Sequence, residues 1–144
     1  MDSKLGKVAL VAGFKEQQSA GNLKAYRQTL ENEQARLLQL EQFKQEYESR
    51  LDGYGDKSIP ARQLQDYRLF LAKLTQAIEQ QQQVVREAGQ AADKAREHWV
   101  DQSVHKSAVD QLVDHRHQQA RAAQDKKEQR DLDERALINH SDPY

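Results

Sequence analysis

The chain has no cysteine, so neither a disulfide framework nor a thiolate metal site is open to it. Proline occurs twice, at Pro60 and Pro143, which leaves long stretches with nothing to break a helix. Aromatics are only 6% of the 144 residues, and β-branched residues are sparse, so a wide spherical core is out of reach. Charges nearly cancel, with a formal net charge of −1, so strong non-specific attraction to nucleic acid or an anionic membrane is not expected. No apolar run approaches the roughly 20 residues needed to span a bilayer. The opening MDSKLGKVALVAGF carries one short apolar patch, while a secretory signal needs a longer apolar core and a small-residue cleavage site. A cytoplasmic chain is expected.

What remains is rich in charge, Gln and Ala, the profile of a long-helix protein. A heptad seam runs Leu23, Tyr26, Leu30, Glu33, Leu37, Leu40, Lys44, Tyr47, Leu51. After a break it resumes as Leu64, Tyr67, Leu71, Leu74, Ile78, Gln81, Val85, Ala88, Ala92, Ala95, Trp99. Steps alternating three and four mark helices that wind around each other. The predicted fold is all-α: one domain spanning residues 1–144, a long antiparallel two-helix coiled-coil hairpin with a C-terminal helical overhang. Helix 1 is expected over about 4–52, a loop over 53–59 and helix 2 over about 60–137. A rod of this kind offers no cavity for a substrate, so its function is expected to lie in what its surface and ends touch.

Asp2 or Ser3 could cap the first helix. Gly6, Gly13 and Gly21 each cost roughly 1 kcal/mol in a helix interior, so fraying is expected before about Leu23. Gly53 can take the left-handed conformation that ends a helix. Ser58, Ile59 and Pro60 read as a capped restart. A short loop implies an antiparallel hairpin. One alignment of the two helices faces Leu23 with Ala92, Leu30 with Val85, Leu37 with Ile78, Leu40 with Leu74 and Tyr47 with Tyr67. The same alignment places Leu5 opposite Val109. Beyond there helix 2 has no partner for about 28 residues, roughly 40 Å at 1.5 Å per residue. Its seam continues weakly through Val113, Ala120 and Ala123. A polar helix with nothing to pack on is marginal in water, so this overhang is expected to be frayed or to await another protein.

No catalytic constellation is present, and no cofactor or metal site is expected. His115 and His117 lie two apart and point to different sides of a helix. His98 and His105 share a face but lie about 10 Å apart along the axis. The glycine-bearing loop lacks the spacing and the lysine of a phosphate-binding loop. Carboxylates sit among Lys and Arg at helical spacing, as solvated ion-pair partners do. The informative residues are apolar ones beside the seam: Leu38, Phe43, Leu69, Phe70, Ala77 and Val84. Phe43 and Phe70 fall at the same level, close to the loop and bordered by Leu40, Tyr47 and Leu74. They suit either a slightly widened core or a docking patch.

The segments EQFKQEYESRL and ARQLQDYRLFLAKLTQAIEQQ, joined by a glycine-bearing loop, resemble the FliJ family of the flagellar type III export apparatus. The likeness is best from about Arg36 to Trp99, including the tryptophan of AREHWVDQ. It implies an antiparallel helical hairpin similar to the central stalk of rotary ATPases. It implies no enzymatic activity of its own. The implied partners are a FliI-like hexameric export ATPase and an FlhA-like export gate protein, with export chaperones as a further class. The implied gate-docking face is Leu40, Phe43, Tyr47, Phe70, Leu74, Ala77 and Gln81. Arg36 stands where the family has glutamine, Phe43 where it has tyrosine and Gln81 where it has histidine. The expected role is a stalk and adaptor coupling ATPase to gate, held at the inner-membrane apparatus through its partners alone. The end bearing both termini would meet the ATPase through Lys4, Lys7, Arg116, Arg121, Lys126, Lys127 and Arg130. Tail carboxylates at Asp125, Glu128, Asp131, Asp133 and Glu134 equally suit a plain solvated helix. An export chaperone, an unrelated structural coiled coil and an injectisome stalk are the alternatives.

Overall fold

The computed structural model describes residues 2–53 and 59–141. Two helices account for nearly all of them: α1, Asp2–Gly53, and α2, Ala61–Ser141. Neither helix contains a proline, and α2 holds a single glycine, Gly89, so nothing in either sequence forces a stop. Two compact units divide the chain. One is Gln18–Val100, and the other combines Met1–Gln17 with Asp101–Tyr144.

Within Gln18–Val100 the helices pack as an antiparallel hairpin along the expected seam. Leu23, Leu74, Ile78, Gln81 and Ala92 are buried. Leu30, Leu37, Leu40, Tyr47, Leu51, Leu64, Tyr67, Leu71, Val85, Ala88, Ala95 and Trp99 are half-buried. Half-burial is what two helices can offer, because each seam residue is covered from one side only. Tyr26 is the departure, at 47% exposed. The alignment is visible directly: the rings of Tyr47 and Tyr67 lie 5.2 Å apart, and Gln81 bonds Glu33 across the seam. Lys44 is half-buried, with its ammonium 4.0 Å from the Glu48 carboxylate one turn on.

In the second unit, α1 is helical from Asp2 onward, which corrects the expected fraying before Leu23. Gly6 and Gly13 stay within the helix here, as Gly21 does in the hairpin unit, and none takes a positive φ. The reason is tertiary. Ala12 is 2% exposed, Leu5 and Ala9 are half-buried, and Val109 of α2 is buried in the same unit. The two helices run close enough that a Cβ added at Gly13 would meet the Lys106 side chain at 3.9 Å. Burial thus outweighs the poor local propensity. From Asp114 to His140 every residue of α2 is exposed, yet the helix continues to Ser141.

The ends beside the loop differ from expectation in detail. Gly53 closes α1 with a helical φ rather than a left-handed one. The Leu64 N–H donates to the Pro60 carbonyl at 3.1 Å, so Pro60 occupies the position just before the first helical residue. The cap assigned to Ser58 lies outside the described residues, as do Tyr54–Lys57.

Candidate docking surface

Phe43 follows the seam residue Leu40 by three positions, and Phe70 follows Tyr67 by three. Both therefore occupy the same heptad position, which in an antiparallel pair puts them on one flank. Ala77 and Val84 repeat that position farther along α2, and Arg36 repeats it on α1. The opposite flank carries Glu41, Glu48, Arg68, Thr75 and Gln82. Of the two flanks beside the seam, the one bearing Phe43 and Phe70 is the more apolar. On that side Phe43 is 59% exposed, Phe70 41% and Val84 39%. Leu38 and Leu69 are exposed as well, farther round their helices.

The expected docking residues are brought together but not presented equally. Tyr47 is the hub, with its ring 4.4 Å from that of Phe70 and tilted 36° to it. Leu40, Tyr47 and Ala77 are half-buried, forming the floor from which Phe43 and Phe70 project. Leu74 is buried in the seam. Gln81 is buried too, and its amide is engaged by Glu33, so it faces the partner helix rather than the surface. A shallow groove beside Phe43 is lined by Arg36, Gln39, Leu40, Gln42 and Glu46. Arg36 lies 3.8 Å from Glu33, a rim contact of little energetic weight. The Tyr47–Phe70 stack is one diagonal step away from the same-level pairing that spacing suggests, and aromatic length makes that step reachable.

The cations assigned to the other unit are all exposed: Lys4, Lys7, Arg116, Arg121, Lys126, Lys127 and Arg130. Lys4 and Lys7 line a groove with Val8, Val11, Lys15 and His105. The α2 cations share their helix with carboxylates that accept from glutamines one turn away, Gln124 to Glu128 and Gln129 to Asp133 at 3.4 Å. Exposed apolar residues here went unnoticed in the spacing: Leu10 and Phe14, four apart on one face of α1, and Leu132, Leu137 and Ile138 on α2. For Leu10 and Phe14 the available signal was the short apolar patch of the opening residues.

Among the described residues no group of three His, Asp or Glu side chains is placed to hold a metal. The arrangement is one of contact surfaces on a closed seam. Neither a curated protein nor a solved structure matches the chain. A family model described as flagellar FliJ protein matches residues 1–143, well beyond the Arg36–Trp99 span that carries the motif likeness. The chain therefore belongs to the FliJ family, non-catalytic proteins associated with flagellar export.

Proposed function

We propose that this protein is a stalk and adaptor of the flagellar export apparatus, coupling a FliI-like hexameric ATPase to an FlhA-like gate protein. The observation that carries the reading is the pair of exposed phenylalanines on one flank beside the loop. Phe43 and Phe70 stand exposed over a seam that is already closed beneath them. Side chains of this size left in water next to a satisfied core suit a docking surface better than a stability role. Phe43, Phe70 and Ala77 would meet the gate directly, with Leu40 and Tyr47 as their support. Leu74 and Gln81 would act from beneath. The exposed α2 extension, with Arg116, Arg121, Lys126, Lys127 and Arg130, and the α1 residues Lys4 and Lys7 would meet the ATPase. No described helix is long and apolar enough to cross a membrane, so association with the apparatus would run through these partners. The protein would then work at the cytoplasmic side.

The test separates the two contacts. The unaltered chain should bind purified ATPase and purified gate protein, each in its own titration. Phe43→Ala with Phe70→Ala should lose the gate and retain the ATPase. Retention of the gate by the double variant would move the docking face elsewhere. Binding of export chaperones alone, with neither ATPase nor gate, would instead make the chain an escort protein.

A further inference from the structure

Glu33 and Gln81 are polar residues at seam positions, and the structure joins them. The Gln81 side-chain amide donates to the Glu33 carboxylate at 2.6 Å and to the Glu33 backbone carbonyl at 2.9 Å. Gln81 is 8% exposed, so these bonds are made largely out of water. Both amide N–H groups of Gln81 are used on one residue of the facing helix. Lys44, another polar seam residue of the hairpin, behaves differently. Its ammonium lies 4.0 Å from the Glu48 carboxylate on its own helix.

We propose that the Glu33–Gln81 pair is a register lock, which gives up stability in exchange for a single alignment of the two helices. The rest of the seam discriminates poorly between alignments. A slip of one heptad would set Leu30 against Ile78 or Ala92 in place of Val85, apolar against apolar in every case. The loop is a weak guard. Such a slip moves the turn by half a heptad, so only about one helical turn beside it must rewind. The polar pair responds sharply. In a slipped hairpin Gln81 would face Tyr26 or Leu40, and Glu33 would face Leu74 or Ala88. An amide and a carboxylate would then lie against apolar neighbours with no partner, the costly outcome for buried polar groups. A buried polar pair in a coiled coil commonly sets register at the expense of stability, because its bonds only replace those made to water.

The chain has no cysteine, so engineered cysteine pairs report the alignment without background. Leu30→Cys with Val85→Cys reads the native register, and Leu30→Cys with Ile78→Cys reads the slipped one. In the otherwise unaltered chain the first pair should oxidise to a disulfide and the second should not. With Glu33→Leu and Gln81→Leu added, the slipped pair should also cross-link. The same apolar double variant, without cysteines, should melt at a higher temperature. It stays helical because the change only extends the seam, and circular dichroism verifies that. With Glu33→Gln added instead, an amide still meets Gln81, and the slipped product should stay absent. A slipped pair that remains unlinked in the apolar variant would show that the loop alone sets the register and would overturn the lock. A lower melting temperature for that variant would overturn the exchange of stability for register.

Discussion

Phe43 and Phe70 share a flank but differ in what they touch, and that difference sets what their removal does. Phe70 rests on the Tyr47 ring at 4.4 Å, whereas Phe43 is 59% exposed beside a shallow groove. Truncating both should lower stability by about 1–2 kcal/mol, most of it from the lost Phe70 stack. That is well below the 3–5 kcal/mol typical of a fully buried phenylalanine. A central aromatic in a small interface commonly contributes about 2 kcal/mol or more, roughly 30-fold in affinity for each such residue. The double variant should therefore stay helical and lose the gate partner, as thermal melting paired with titration would record. Outright unfolding would place both rings in the core. The glycines of α1 invite the opposite kind of change. Gly6 and Gly21 have helical backbones, and a Cβ at either would meet nothing within 4 Å. Gly6→Ala and Gly21→Ala should each add up to about 1 kcal/mol and raise the melting temperature by roughly 2–4 °C. A fall on either substitution would mean that the backbone there is not helical in the free protein.

At the scale of the element, a long helix here is held by its seam and not by its propensity. The opening of α1 shows this: glycines that should loosen it are carried by the burial of Ala12 and its neighbours. The seam's alignment can be tested at its middle. Leu30 is half-buried, and Val85 is the residue expected to face it. Leu30→Asp removes apolar burial and sets a charge into a partly dry interface, which should cost at least about 2 kcal/mol. The melting temperature followed by circular dichroism should fall by on the order of 5 °C or more. An unchanged melt would mean that Leu30 is not part of the seam.

For the whole molecule, the informative contrast lies between residues that share a seam and the exposed run at the end of α2. From Asp114 to His140 every residue is exposed, and Gln124 and Gln129 bond carboxylates one turn away on the same helix. Such a helix gains little from tertiary packing, so its hydrogen bonds open readily. Amides from about Asp114 to Leu137 should exchange fast in the free protein and slow when the ATPase partner is added, measured by hydrogen exchange. Strong protection in the free chain, or no slowing with the partner, would remove this stretch from the proposed contact.

The heptad steps by themselves determined the fold class, the antiparallel alignment and the core residues between Leu23 and Trp99, while the buried Ala12 and Ser19 lay outside the seam they marked. A 3.5 repeat broken once by glycines and a proline permits few other arrangements. The aromatic neighbourhood of the loop was also legible, since Phe43 and Phe70 fall off the seam at matching positions. Tertiary structure alone decided three things. It kept the glycine-bearing start of α1 helical, because propensity is a local cost and burial a non-local gain. It turned Gln81 inward onto Glu33, because a polar residue on a seam bonds inward only when the facing helix supplies a partner at that level. And it set Phe70 against the Tyr47 ring, because a ring reaches diagonally across the groove to a neighbour that gives it contact.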